Sequence, residues 1–245
     1  MMYLWKKDMV SFMKDASEYG RFHAVLAEKM RPFLPEGAHL CDAGCGLGYL
    51  SLALAPFCSR VTAVDRSDDA LRVLRENLRR YGTENVRIVC SPIAEAVPER
   101  PYDAMVFCSF GRIDEILRVS AQQCCGTVLI AKKVRTAPRF GVQGRRLHHE
   151  SAEQARAALT ARGIPFEMQL HKIPLGQPFR TVDDAVRFFA LYNPGCEIDR
   201  AWVEERLTRT AREDFPYYLP EQGRVALLAL RAEDIPHEGG KACIF

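Results

Sequence analysis

HLCDAGCGLGYLSLALAP, residues 39–56, passes from a short apolar run through three alternating glycines into a second apolar run. This order predicts a strand, a tight turn and a helix. Gly44, Gly46 and Gly48 allow positive φ angles and let a ligand lie directly against the backbone. The first amides of the helix would direct their unpaired N–H groups toward that ligand. The stretch therefore predicts a turn that binds a phosphate or a nucleoside.

The spacing of the glycines distinguishes between ligands. A dinucleotide fingerprint, G-x-G-x-x-G, would need glycine where the chain has Tyr49 or Ser51. The sequence instead reads D-x-G-x-G-x-G, and its acid is Asp42. A second apolar run, 60–64, ends in Asp65, 23 residues after Asp42. Because an acid at the end of the second strand can accept hydrogen bonds from both ribose hydroxyls, the two motifs together predict adenosine binding.

DAGCGLG and VTAVD at this spacing resemble the class I S-adenosylmethionine-dependent methyltransferases, and the resemblance continues through PYDAMVFCSF to about residue 132. It implies S-adenosylmethionine as the cofactor. Residues 91–93 stand where the family surrounds the adenine, although many members carry an acid or amide in place of Ser91. The expected cofactor-binding residues are Asp42, Gly44, Cys45, Gly46, Gly48, Asp65, Arg66, Ser91, Pro92, Ile93, Cys108 and Ser109.

Two other interpretations of the glycine turn stay open. The glycines could form a tight structural turn without a ligand, with Asp65 as a solvated strand end. Alternatively, the turn could bind NAD(P), because Arg66 beside Asp65 could face a 2′-phosphate.

Alternating strands and helices predict a doubly wound α/β fold. In the family, the last two strands pair at the edge of the sheet. We therefore expect a seven-stranded, mostly parallel sheet with an antiparallel edge strand. The predicted divisions are an N-terminal helical arm (1–35), a Rossmann-like core (36–173), a helical insertion before the last strand that forms a lid or substrate wall (174–222), and the last strand with the tail (223–245). In the insertion, a helix is expected from Asp199 to Ala211.

The bulk composition excludes several classes of protein. The chain has 34 basic and 31 acidic residues, a balance that argues against a nucleic-acid partner. No apolar run is long enough for a membrane span and the N-terminus lacks a secretory signal, so we expect a cytoplasmic protein without a membrane partner. Nine cysteines without a C-x-x-C pair predict reduced, mostly buried thiols and no metal site.

One segment departs from this balance. Residues 132–146 carry six basic residues and no acid. They are interpreted either as a solvated loop or as a contact for an anionic substrate group or a nucleic-acid phosphate.

The chemistry of the cofactor limits what the sequence reveals about catalysis. A sulfonium already makes its methyl group electrophilic, so the protein need only hold an acceptor in line with the S–CH₃ bond, and a general base is optional. The catalytic residues are therefore unknown at this stage. The candidates for acid–base work are Tyr19, His23, His148, His149 and Glu150.

Three functional hypotheses follow. The first is a methyltransferase with a small-molecule acceptor. The second is an RNA methyltransferase that uses the basic segment 132–146, although residues 108–111 read CSFG and lack the N-P-P-F/Y motif of amino-methylating enzymes. The third is a protein that binds S-adenosylmethionine without catalysis. A homodimer is a further expectation.

Overall fold

The computed structural model describes residues 7–134, 140 and 150–236. The helices are α1 Lys7–Tyr19, α2 Phe22–Met30, α3 Tyr49–Leu54, α4 Asp68–Tyr81, α5 Ile113–Gln123, α6 Ala152–Ala161, α7 Val182–Tyr192 and α8 Arg200–Glu204. The strands are β1 His39–Ala43, β2 Arg60–Asp65, β3 Val86–Cys90, β4 Tyr102–Cys108, β5 Cys124–Lys133, β6 Glu167–Pro174, β7 Gln177–Phe179, β8 Thr208–Arg209, β9 Tyr217–Leu219 and β10 Gln222–Arg231. Short 3₁₀ helices span Arg31–Phe33, Ala55–Phe57 and Ala232–Asp234.

The chain divides into two compact units, which we describe separately. Of the described residues, unit 1 holds 7–22, 140 and 172–223, and unit 2 holds 23–134, 150–171 and 224–236. Helix α1 therefore belongs to unit 1, whereas most of α2 belongs to unit 2.

Unit 2 is organised around a seven-stranded sheet with the order β3-β2-β1-β4-β5-β10-β6. Strands β1 to β5 pair in parallel, and β10 runs antiparallel to β5. This arrangement confirms the predicted fold class. The strand order reverses between β1 and β4, and ligands of open α/β sheets bind at the carboxyl ends of the strands at such a switch point.

The central strands are apolar because helices cover both faces of a parallel sheet. Leu40, Met105 and Leu129 are fully buried on neighbouring strands. Helix α4 follows β2 through Ser67, whose side chain caps the helix by accepting from the Ala70 amide. The Ser67 cap thus fixes where the connection that follows β2 turns into α4.

Unit 1 combines α1, α7 and α8 with a three-stranded sheet of order β7-β9-β8. Its core is aromatic: the Phe188 ring packs edge-on against Phe12 and Phe140, with centroids 5.2 and 4.5 Å away. The sequence patterns predicted only helices here and did not reveal this small sheet. Its strands are two or three residues long, too short for an alternating pattern to be visible.

The helix predicted from Asp199 to Ala211 is too long. Asp199 caps α8 as expected, but α8 ends at Glu204. The backbone of Thr208 and Arg209 pairs instead with β9, in register with Tyr218 and Tyr217. Pairing with a neighbouring strand therefore overrides the helical periodicity of this segment.

One interpretation of the basic segment 132–146 was a solvated loop, but its first two residues lie in a strand. Lys132 and Lys133 belong to β5, and Lys132 is buried. The other basic residues of the segment are Arg135, Arg139, Arg145 and Arg146, and they lie outside the described residues. His148 and His149 also lie outside them.

Two absences hold for the described part of the chain. No helix in it has the length and apolar character needed to cross a membrane. No group of three or more His, Cys, Asp or Glu side chains in it is arranged to hold a metal ion.

Candidate functional site

The glycine turn between β1 and α3 lies at the carboxyl edge of the sheet. Gly44, Gly46 and Gly48 have φ angles of 69°, 54° and 75°, the left-handed region that favours glycine. The amides of Gly44 and Cys45 both donate to the Val64 carbonyl, at 2.8 and 3.0 Å. The turn is therefore held against the end of β2.

Asp65, the last residue of β2, connects this turn to the start of α4. Its Oδ2 accepts a hydrogen bond from the Gly46 amide at 2.9 Å, and its Oδ1 accepts one from the Ser67 amide at 2.9 Å. A carboxylate has about four acceptor positions, so each oxygen retains capacity for another donor. Asp65 thus both fixes the turn and presents an acceptor beside it.

Asp42 has a different environment, beneath the turn. It is only 1% exposed, and its Oδ2 accepts from the Ser51 hydroxyl on α3 at 2.5 Å. Burial raises the pKa of Asp42 from 3.8 to about 6, against the opposing effect of the Ser51 hydrogen bond. The carboxylate therefore braces strand β1 against helix α3, and its direct contact with a cofactor stays a prediction.

The raised pKa of Asp42 makes the stability of the protein depend on pH. An acid whose pKa is raised on folding binds more protons in the folded state, so this contribution to stability falls as pH rises from 3.8 to about 6. Asp42→Asn keeps an acceptor for Ser51 and removes the charge. We expect it to increase the free energy of unfolding by about 2 to 3 kcal/mol above pH 6 and to have little effect below pH 4.

Denaturant unfolding of both proteins at the two pH extremes measures this difference. Asp69→Asn, at an exposed position on α4, is the matched control and should show no such pH-dependent gain. Equal unfolding free energies for Asp42→Asn and the wild type at neutral pH would contradict the prediction.

The loop after β3 is tied to the same edge. The Ser91 amide donates to the Asp65 carbonyl at 3.0 Å, and the Ser91 hydroxyl donates to the Pro92 carbonyl at 3.1 Å. From α5, the buried Gln123 side chain donates to the Ile93 carbonyl at 2.9 Å. Pro92 is exposed while Ile93 is buried, so the loop has a fixed inner side and an open outer side.

The loop after β4 contains an unusual backbone conformation. Ser109 has φ 54°, the one positive φ outside glycine in the described ranges, and its amide donates to the Ala131 carbonyl at 2.9 Å. The next side chain, Phe110, lies against Gly44, and a Cβ atom built on Gly44 would overlap the Phe110 ring. Gly44 is thus needed both for its φ angle and for this contact.

The thiols near the turn are poorly suited to nucleophilic chemistry. Burial raises the pKa of Cys45 well above its ordinary value and that of Cys108 to about 12. Both side chains are therefore protonated at neutral pH. Arg66, the remaining candidate beside Asp65, is exposed in the β2–α4 connection.

Two acid–base candidates are engaged in other contacts. His23 on α2 stacks on Tyr49, the first residue of α3, with ring centroids 5.9 Å apart. Burial lowers the pKa of His23 to about 4, so the ring is neutral at pH 7. In unit 1, Tyr19 stacks on Tyr218 and lies beneath the Arg212 guanidinium.

The sequence patterns did not reveal the residues that support the site from other elements. Ser51 and Gln123 are polar positions within helices, and Phe110, the last residue of PYDAMVFCSF, was assigned no role of its own. Lys132 was grouped with the basic segment 132–146, and Glu150 was a candidate for acid–base work. A weak signal existed for Lys132, because it directly continues the apolar run of β5.

Comparison with known proteins identifies the class. Residues 40–123, about a third of the chain, match the family described as "Methyltransferase domain". Together with the glycine turn, Asp65 and the seven-stranded sheet, this match shows that residues 40–123 are similar to the class I, Rossmann-like methyltransferases, whose cofactor is S-adenosylmethionine.

Two curated relatives match parts of the chain of similar length. The chain is 40% identical over 81 residues to a probable cobalt-precorrin-6B C(15)-methyltransferase (decarboxylating) of Methanothermobacter thermautotrophicus, a match covering 32% of this chain and 42% of that protein. It is 34% identical over 80 residues to a ribosomal protein L11 methyltransferase of Acetivibrio thermocellus, a match covering 32% of this chain and 25% of that protein. The chain thus matches less than half the length of either relative.

A solved structure shares the fold. The magnesium protoporphyrin IX methyltransferase of Synechocystis PCC 6803, solved with bound S-adenosylhomocysteine, aligns with a TM-score of 0.50 at 14% identity. The alignment covers 94% of this chain and 90% of that one. This likeness concerns the fold alone.

Proposed function

We propose that the chain transfers a methyl group from S-adenosylmethionine to a small-molecule acceptor by in-line displacement. The observation that carries the proposal is the Asp65 carboxylate, held between the amides of Gly46 and Ser67 at the carboxyl edge of the sheet. This arrangement provides an acceptor for ribose hydroxyls next to the glycine turn.

The residues of this edge divide the work of holding the cofactor. Asp65 would accept hydrogen bonds from the ribose, and the loop at 91–93 would surround the adenine. The glycine turn would leave room for the amino-acid half, because Gly46 has no side chain. When bound, the cofactor supplies an electrophilic methyl group, so the chain's task is to orient the acceptor and exclude water.

The charges of unit 1 favour a small acceptor over a polyanion. Phosphate recognition requires basic side chains that are available to the ligand. Several arginines of unit 1 instead form ion pairs with carboxylates of the same unit. These pairs are Arg180 with Asp15, Arg187 with Asp184, Arg200 with Asp183, and Arg212 with Asp214.

Other observations point the same way without naming the acceptor. Lys132, one of six basic residues in the segment 132–146, is buried and paired with Glu150. The net charge of +3 provides little attraction for nucleic acid. The relatives' names give acceptors as different as cobalt-precorrin-6B and ribosomal protein L11, so the choice of a small acceptor depends on this chain's own charges.

Two binding measurements test the proposal. Titration calorimetry should show that the wild type binds S-adenosylhomocysteine. Filter binding to total RNA at two salt concentrations should show weak association with a shallow salt dependence. Submicromolar RNA binding with a steep salt slope would overturn the small-acceptor proposal in favour of RNA methylation, because such a slope reports many phosphate contacts.

A transfer assay then tests catalysis. Label from methyl-labelled S-adenosylmethionine should pass to the low-molecular-weight fraction of a cell extract, and Asp65→Ala is the matched inactive control. Cofactor binding without transfer to any fraction would instead support a non-catalytic binding protein. The homodimer, the cytoplasmic location and the role of residues 174–222 as a lid or substrate wall stay predictions.

A further inference from the structure

A buried ion pair lies beside the loop that follows β4. Lys132 is the second-last residue of β5, and Glu150 directly precedes the capped start of α6. Lys132 Nζ is 3.0 Å from Glu150 Oε2, and the two side chains are only 4% and 10% exposed. Water therefore screens this pair far less than the exposed pairs of the helices.

Both members of the pair also bind the backbone of that loop. Lys132 Nζ donates to the Gly111 carbonyl at 2.7 Å. Glu150 Oε2 accepts from the Ile113 amide at 3.0 Å. The segment 109–113 is thus attached at two points to one buried pair of charges.

This segment has a conformation that requires support. Ser109 adopts a φ of 54° and Gly111 a φ of 69°. A non-glycine residue in the left-handed region persists only where its surroundings hold it there. Between these two residues, the Phe110 ring lies against Gly44 of the glycine turn. The ion pair is therefore connected to the cofactor turn through one loop and one aromatic contact.

We propose that Lys132 and Glu150 are positioning residues that hold segment 109–113, and through Phe110 the glycine turn, in the form that binds the cofactor. The inference rests on the proposed function, since it concerns the same site. A buried ion pair contributes little net stability relative to apolar groups of the same size. Its contribution here is the fixed geometry of the loop.

The double variant Lys132→Met/Glu150→Gln separates positioning from stability. Both side chains keep about their length, and no unpaired charge is left buried, so the thermal midpoint should stay close to that of the wild type. The amide oxygen of the introduced glutamine can still accept a hydrogen bond from the Ile113 amide. The donor to the Gly111 carbonyl is lost, and we expect affinity for S-adenosylhomocysteine to fall about tenfold.

A matched control removes an ion pair elsewhere in unit 2. Arg75→Met breaks the exposed pair with Asp68 on α4. It should change neither the thermal midpoint nor the affinity for S-adenosylhomocysteine. Calorimetric titration and thermal unfolding of the three proteins supply both readouts.

An affinity of the folded double variant within twofold of the wild type would overturn the inference. If the double variant does not fold, hydrogen exchange is measured on the wild type instead. The peptide that contains residues 109–113 is expected to gain protection when S-adenosylhomocysteine binds. Unchanged exchange would reject the inference. If the wild type does not bind S-adenosylhomocysteine, the proposed function is rejected as well. If the wild type binds S-adenosylhomocysteine and the double variant binds it equally well, only the positioning role is rejected.

Discussion

Asp65→Ala is expected to weaken the binding of S-adenosylhomocysteine by about 3 kcal/mol, or roughly 100-fold. The substitution removes the acceptor proposed for the ribose hydroxyls. It also leaves the amides of Gly46 and Ser67 without the carboxylate that now joins them. Hydrogen bonds to a charged group contribute more than neutral ones, so the combined loss is large. Titration calorimetry measures it directly.

Two variants test the origin of this loss. Asp65→Asn keeps one acceptor oxygen and should retain part of the affinity. Asp69→Ala removes a carboxylate of the same type from an exposed position on α4 and should bind like the wild type. Undiminished binding by Asp65→Ala would contradict the assignment. Binding of NAD(H) in place of S-adenosylhomocysteine by the wild type would support the dinucleotide interpretation instead.

Gly46→Val is expected to abolish detectable cofactor binding while the sheet stays folded. Gly46 has a φ of 54°, which a β-branched residue adopts only with strain. The new side chain would also project from the turn on which the ligand is expected to lie. Calorimetry with S-adenosylhomocysteine measures binding, and circular dichroism measures the remaining secondary structure.

Gly163→Val is the matched control for backbone strain. Gly163 follows helix α6 with a φ of 66°, and a Cβ atom there would meet nothing within 4 Å. Both variants incur the penalty of a positive φ, but only Gly46→Val alters the glycine turn. Equal loss of binding in the two would attribute the effect to general destabilisation and contradict a specific role for Gly46.

Local patterns were sufficient to predict the core of unit 2. Alternating apolar runs and helices identified β1 to β5, and the order of glycines and acids identified the turn and Asp65. These features are encoded in neighbouring residues, because strand periodicity, capping and tight turns depend on contacts of short sequence separation. The N-cap at Ser67 and the capping box at Ser151 are local contacts of the same kind.

Unit 1 shows where local patterns fail. The small sheet β7-β9-β8 joins segments that are about 40 and 10 residues apart in sequence, and its strands are too short to show a period. The segment after Glu204 has helical spacing, yet the backbone of Thr208 pairs with β9. Tertiary pairing decided both outcomes, since local propensity is a weak constraint for such short segments.

The sequence by itself determined the class of fold and the cofactor turn, because the glycine spacing after Asp42 is a local feature and Asp65 is recognised as the acid that ends the next apolar run. Only the tertiary structure decided the supporting contacts. The sequence suggests a surface charge at Lys132, but in the structure Lys132 is buried beside Glu150. The contact between Phe110 and Gly44 likewise exists only in the folded structure. Burial and partner choice are properties of packed elements, so a charge and an aromatic ring acquire these roles only when distant segments meet.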